Sequence, residues 1–247
     1  MLRAAFSPMS AAPHVSIVIP VYNEETIVES AARELVAGLD ARGIDFEIIL
    51  AENGSRDRTQ EVLQKLSESE PRISWFHSDR PNYGTALKAG ILKARGELVV
   101  CDEIDLCDLV FYDAALPLLE SKEADLVVGS KAALGASDQR PMVRRAATRV
   151  HNKLLKVTLG FQGTDTHGLK AFRRERILPI VHQCLVDMDV FASELVVRAW
   201  RDDNLKVQEI PIQLHEKRQP SIHLFKRVPN VLKNVARLVY VIRIRGR

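Results

Sequence analysis

Leu98-Val99-Val100-Cys101-Asp102-Glu103-Ile104-Asp105-Leu106-Cys107-Asp108 is the stretch on which the fold turns. Its apolar run, Leu98 to Val100, is too short for a helix and fits a buried strand. Four acids follow within seven positions: Asp102, Glu103, Asp105 and Asp108. In an open parallel α/β sheet the C-terminal ends of the strands form the ligand crevice. Carboxylates crowded there repel one another unless a cation neutralises them, and oxygen-only ligands suit Mg2+ or Mn2+. The plainer alternative is a solvated acidic turn capping the helix that starts near Phe111.

The sequence on either side repeats this strand grammar. Val15–Val21 is a β-branched run that stops at a proline, Phe46 to Leu50 reads as a second buried strand, and Ile73 to His77 as a third. Helical patterns separate them, from Ile27 to about Leu39, from Thr59 to Leu66, and from the Asn82 region to about Ala94. Asn23 is placed to cap the first of these helices, with Glu24 and Glu25 in its first turn matching the dipole. Ala124 to Lys131 adds a strand and turn. Strands alternating with helices of this length mean βαβ units and a mostly parallel sheet.

Beyond about Gly135 the pattern changes. Val143 to Leu159 is a basic helix carrying Arg144, Arg145, Arg149 and Lys153. Gly163 to Lys170 is a polar loop before a short strand, Val190 to Trp200 a helix with Glu194 inside it, and Leu205 to Ile210 a strand. From Leu224 to about Arg243, apolar residues at helical spacing make an amphipathic helix. Its stripe either packs on the body or, with its flanking cations, lies on an anionic membrane.

The chain of 247 residues, 46% hydrophobic and 27% charged, is long enough to bury a full core and has an ordinary globular composition. Three cysteines, Cys101, Cys107 and Cys184, lack metal-ligand spacing and fit reduced residues of a cytoplasmic protein. No apolar run reaches membrane-spanning length. The net charge of +3 is uneven: from Lys217 to Arg247 there are nine basic residues and no acid. Such a segment favours an anionic partner. Nucleic acid is disfavoured, because no aromatic stacking series is interleaved with the charge.

Four motifs stand in one order: Ile19-Pro20-Val21-Tyr22-Asn23-Glu24, Glu52-Asn53-Gly54-Ser55-Arg56-Asp57-Arg58-Thr59, Asn82-Tyr83-Gly84-Thr85-Ala86-Leu87-Lys88-Ala89-Gly90, and Gly163-Thr164-Asp165-Thr166-His167-Gly168-Leu169-Lys170. Together with the acidic strand end, they resemble a family-2 glycosyltransferase of the GT-A (Rossmann-like) fold, in the branch of polyprenyl- or dolichyl-phosphate mannose and glucose synthases. The resemblance runs from about Val15 to Ile212. Residues 1–13, with small residues and two prolines, read as a loose arm, and the resemblance implies a catalytic body over 14–215. Residues 14–108 of that body would hold the nucleotide sugar and 109–215 the acceptor; a basic loop and amphipathic helix follow over 216–247.

By that resemblance Pro20, Tyr22 and Glu24 line the nucleotide pocket. Glu52 and Asn53 stand where the family has two aspartates on the base and ribose, with Ser55 in the same turn. Asn82, Gly84 and Lys88 shape the floor beneath the diphosphate. Asp102-Glu103-Ile104-Asp105 is one residue longer than the family's Asp-x-Asp, so the metal set is Asp102 with Asp105 or Glu103. Glu194 and Arg218 fall on the acceptor side, Arg218 with Ser221 in a phosphate-binding cluster. Lys131, Arg144, Arg145 and Arg218 are candidate partners for the departing diphosphate, and Glu194, Asp189 or Asp165 candidate bases for a hydroxyl acceptor. Implied partners are a nucleotide-sugar donor such as GDP-mannose or UDP-glucose, a lipid-phosphate acceptor and an anionic membrane surface, with room for an oligomer. The resemblance also implies a reaction that inverts the anomeric centre. Two rival readings stand beside this one: the same fold with a soluble or saccharide hydroxyl acceptor, and a nucleotide-sugar-binding protein without turnover, because the metal motif is altered. Plainer alternatives also stand beside the single roles. Glu24 could only charge a helix end, Asn82 could only cap one, Asp165 could shape a turn, and Glu194 could pair with Arg198 one helical turn on.

Overall fold

The computed structural model describes residues 12–79, 81–133, 136–138, 142–185, 190–214 and 233–245. β1 (Val15–Val21), β2 (Phe46–Glu52), β3 (Ile73–His77), β4 (Leu98–Cys101), β5 (Leu126–Ser130), β7 (Lys170–Arg173) and β8 (Val207–Pro211) form one sheet in the order β3-β2-β1-β4-β7-β5-β8. Every pairing is parallel except those of β7, which runs antiparallel to both β4 and β5. Two short strands, β6 (Ser137–Asp138) and β9 (Gln213–Leu214), pair separately.

Alternation along the strands builds two cores. Val15, Ile17, Ile19, Val100, Val127 and Ala171 face α1 (Val28–Asp40), α2 (Thr59–Ser69) and α4 (Leu109–Glu120). Val18, Ile49, Val99, Val128 and Phe172 face the other way. There they meet α3 (Tyr83–Lys93), α5 (Met142–Leu159), α6 (Arg174–Gln183) and α7 (Phe191–Trp200). A sheet buried on both faces explains why its strands read as continuous apolar runs.

Local details depart from the sequence reading. The first helix begins at Val28, and its N-cap is Ile27 with no side-chain cap. Asn23 adopts φ 55° and accepts the Arg56 N–H through Oδ1 at 2.8 Å. The left-handed region suits Asn, so the residue shapes the turn and does not cap the helix. Glu24 and Glu25 therefore precede the first turn. α6 is an added element; Pro179 inside it hid a helix from periodicity. Of the closing amphipathic helix, residues 233–240 are helical and continue as a π-helical turn over Val241–Arg245; 224–232 lie outside the described residues. Its Val235, Leu238, Val241 and Ile242 are buried in the core of α6 and α7.

Candidate functional site

Parallel strands place their C-terminal ends on one edge, and β7, running the other way, brings its first residue there too. Glu52 ends β2, Cys101 ends β4, and Lys170 opens β7, paired with Cys101 on one side and Val128 on the other.

At one end of this edge, Glu52 is fully buried. Its Oε1 accepts the Ser55 N–H at 2.5 Å, and its Oε2 meets Nδ1 of His77. Burial pushes the Glu52 carboxyl up, but the His77 ring and the Ser55 N–H outweigh it and hold the group below its ordinary value. The same contact, ahead of the opposing effect of burial, raises His77. Asn53 Oδ1 accepts the Asn82 N–H at 2.5 Å, and Asn82 in turn caps α3 by accepting the Thr85 N–H at 3.2 Å. Gly54, at φ +74°, lies where a Cβ would come within 3.1 Å of Pro81. Tyr22 is exposed, Pro20 half-buried, and the buried Glu24 donates its N–H to Thr59 Oγ1 at 2.8 Å. Gly84 is buried in the first turn of α3. Lys88 points towards α6, donating to the Cys184 carbonyl at 2.8 Å.

The acidic stretch divides its labour. Asp102 is 1% exposed; its Oδ2 accepts the Tyr112 hydroxyl and its Oδ1 the Glu103 N–H, both at 2.7 Å. Burial pushes its pKa up to about 7. Glu103 and Asp105 are half-buried, and burial followed by the charge of Asp105 raises Glu103. The Tyr83 hydroxyl is raised by burial and then by the charges of Glu103, Cys101, Asp102 and Asp105. Asp108 takes the capping role, accepting the N–H groups of Val110 and Phe111 at 3.0 and 3.3 Å. Burial pushes the Cys101 thiol up to about 12, as suits a packing residue.

The donor set fits a hard divalent cation: oxygen ligands only, with carboxyl groups that burial and mutual repulsion have pushed upward. Among the described residues no three His, Cys, Asp or Glu side chains converge as a self-contained cage. A cation here needs further oxygens from a ligand, as Mg2+ sites that share substrate phosphates do.

Across the edge stands a cationic wall. Lys131 Nζ lies 3.5 Å from Asp165 Oδ2, and Asp165 Oδ1 accepts the His167 N–H at 2.9 Å, closing an Asx turn. Burial opposes ionisation of Asp165, but Lys131, the His167 N–H and Lys170 hold its carboxyl below the ordinary value. Lys170 is 2% exposed and donates to the Gly168 carbonyl at 2.7 Å; burial lowers its pKa. Glu209 of β8 pins the loop, accepting from Thr164 N–H and Oγ1 at 2.7 Å and from Asp165 N–H at 3.1 Å.

The glycosyl transferase family 2 profile matches residues 16–179, well over half of the chain. The chain is a family 2 glycosyltransferase. It is 29% identical over 226 residues to a dolichyl-phosphate beta-glucosyltransferase of Trichomonas vaginalis, covering 85% of this chain and 68% of that one. Over 99% of its length it is 29% identical to glycosyltransferase AglD of Haloferax volcanii, and over 68% it is 32% identical to an undecaprenyl-phosphate 4-deoxy-4-formamido-L-arabinose transferase of Edwardsiella ictaluri. It spans 40% of the first of these and 51% of the second. The fold matches the GT-A enzyme glucosyl-3-phosphoglycerate synthase from Mycobacterium tuberculosis, crystallised with Mn2+, UDP-glucose and phosphoglyceric acid. The TM-score is 0.64 at 18% identity, over 92% of this chain and 79% of that one.

In this glycosyltransferase, Glu194 is fully buried and paired with Arg198 Nε at 2.8 Å; both its oxygens also accept the Leu185 N–H at 3.1 Å. Among the described residues Arg198 Nη2 is buried without a hydrogen-bond partner. Arg218, Ser221 and Asp189 lie outside the described residues, as does the side chain of Arg144. Beside Lys131 a groove of about 390 Å3 opens along α5, lined by Arg145, Arg149, Lys153, Lys156 and Thr164. Sequence reasoning did not single out His77, Tyr112, Lys170 or Glu209 as site residues. Lys170 had a signal, a lone cation opening an apolar strand. Tyr112 had none, because nothing local ties a helical tyrosine to a strand end.

Proposed function

We propose that this glycosyltransferase moves a hexose from UDP-glucose or GDP-mannose to the phosphate of a polyprenyl lipid, with Mg2+ or Mn2+ and inversion at the anomeric carbon. The observation that carries the reading is the basic groove along α5, which opens beside Lys131 on the same strand-end edge as the carboxylates. A groove with five cations suits a phosphate acceptor. The polyprenyl-phosphate relatives named above support the same acceptor class.

Glu103 and Asp105, two residues apart and half-buried, are the side chains that would hold the cation, while Asp102, its oxygens engaged by Tyr112 and the Glu103 N–H, braces them. The bound cation would supply neutralisation of charge on the departing diphosphate. Glu52, Asn53 and Asn82 form the base and ribose end. Lys131, held by Asp165, stands between groove and carboxylates and steadies the acceptor phosphate. An oxygen of that phosphate attacks the anomeric carbon, the bond to the diphosphate breaks, and the nucleoside diphosphate leaves with the electron pair.

The acceptor phosphate is already an anion, so no general base is required. A hydroxyl acceptor fits less well. Of the candidate bases among the described residues, Asp165 is held below its ordinary carboxyl range by Lys131 and so accepts a proton weakly, and Glu194 is committed to a buried ion pair. The test incubates the protein with radiolabelled donor, Mn2+ and a polyprenyl phosphate. Label passing into the organic phase supports the reading; label passing only to water or a saccharide hydroxyl overturns it.

A further inference from the structure

The face of α5 that points away from the core carries two kinds of side chain that seldom coexist in water. Met142, Val150 and Val157 are 76%, 68% and 74% exposed. At 100° per residue these three fall within about 80° of one another, on one side of the helix. Exposed Lys153 stands inside that arc, while exposed Arg149 and Lys156 and half-buried Arg145 flank it on the groove side. The opposite face is anchored. Leu155 and Leu159 are fully buried, and Asn152 donates to the Thr164 carbonyl of the loop that holds Asp165.

We infer that α5 is the membrane-docking surface of this transferase, lying in the interface of an anionic bilayer with Met142, Val150 and Val157 immersed and the basic edge on lipid phosphates. This rests on the lipid-phosphate acceptor proposed above. Charge complementarity selects the occupant: an apolar stripe beside clustered Arg and Lys is the composition of helices that lie on anionic membranes. The closing helix is less suited, because Val235, Leu238, Val241 and Ile242 are spent on the core, leaving Tyr240 and Ile244 exposed among the described residues. A bilayer seated on α5 also makes geometric sense of the groove. Stripe and groove share one helix, so a lipid phosphate at the interface meets Arg149, Lys153 and Lys131 without leaving the membrane surface.

The full chain is centrifuged with phosphatidylcholine vesicles with and without phosphatidylglycerol. The unaltered protein is expected to sediment with the anionic vesicles. The variant Val150→Glu/Val157→Glu should weaken that binding about tenfold or more. Tyr240→Glu/Ile244→Glu should leave it intact. Melting temperatures report that each variant is folded, and transfer to a short-chain prenyl phosphate soluble in water, expected unchanged in Val150→Glu/Val157→Glu, reports the site separately. Several results would overturn the inference while that short-chain transfer stands. They are unaltered vesicle binding by the α5 variant, loss only in the closing-helix variant, no binding by the parent, or a change of oligomeric state in place of vesicle binding. Absence of short-chain transfer in every protein would instead count against the acceptor reading.

Discussion

Tyr112 donates its hydroxyl to Asp102 Oδ2 at 2.7 Å, joining the first turn of α4 to the residue that follows β4. Both groups are almost fully buried, so the bond gives a carboxylate in the core one of the two donors it has among the described residues. Removing a partner from a buried polar group costs its desolvation. Tyr112→Phe is therefore expected to destabilise the protein by about 1–3 kcal/mol, read by urea unfolding in chelator, and to lower donor turnover by loosening the 102–105 turn. Unchanged stability would mean that Asp102 finds another donor.

Glu103 and Asp105 are the half-buried pair that follows the engaged Asp102. Glu103→Gln and Asp105→Asn should each cut Mn2+-dependent turnover by about a hundredfold or more, while leaving the melting temperature without metal unchanged or raised. Neutralising one of two repelling carboxyls relieves the ligand-free protein, and that direction distinguishes a metal pair from a structural one. Full activity in both variants would remove the pair from the reaction.

The Glu52–His77 contact carries a pH signature. Glu52, held below its ordinary 4.5, contributes stability that is present above that value and lost as pH falls through the lower folded one. His77, held above its ordinary 6.5, contributes stability fully present below that value and lost as pH rises through the folded one. Both contributions are in place between about 4.5 and 6.5. His77→Ala should thus destabilise the protein more at pH 6 than at pH 9, measured by denaturant unfolding. An equal loss at both values would show that packing, not charge, is what the ring supplies.

Gly168 approaches β5 so closely that a Cβ would stand 1.7 Å from the Gly129 carbonyl oxygen. Backbone blocks backbone there, and a side chain cannot swing aside. Gly168→Ala should cost at least about 3 kcal/mol, or displace the 163–168 loop with Asp165 and its hold on Lys131. Thermal unfolding together with turnover checks this; an active variant of parental stability would mean that the loop can move freely.

Glu194 and Arg198 form a buried ion pair in which each partner depends on the other. Glu194→Ala should cost about 3–5 kcal/mol, because it strands a buried guanidinium. Replacing both by leucine should recover much of that loss. Recovery of stability without recovery of turnover would give Glu194 a role in the site beyond the pair.

What the sequence determined by itself is local. Runs such as Val15–Val21 and Phe46–Glu52 are strands because both their faces are buried. The 19–24, 52–59, 82–90 and 163–170 motifs are contiguous, so their order marked the family before any contact was known. Tertiary structure decided what depends on which segments meet. β7 enters between β4 and β5 in the opposite sense and so delivers Lys170 to the carboxylates. Tyr112 reaches Asp102 across ten residues, His77 reaches Glu52 across twenty-five, and Glu209 reaches Thr164 across forty-five. Periodicity says which face of α5 is apolar or charged, but only packing shows which face the core consumes. That packing leaves Met142, Val150 and Val157 in water while it buries the stripe of the closing helix. Charge and hydropathy are properties of residues; burial is a property of their neighbours.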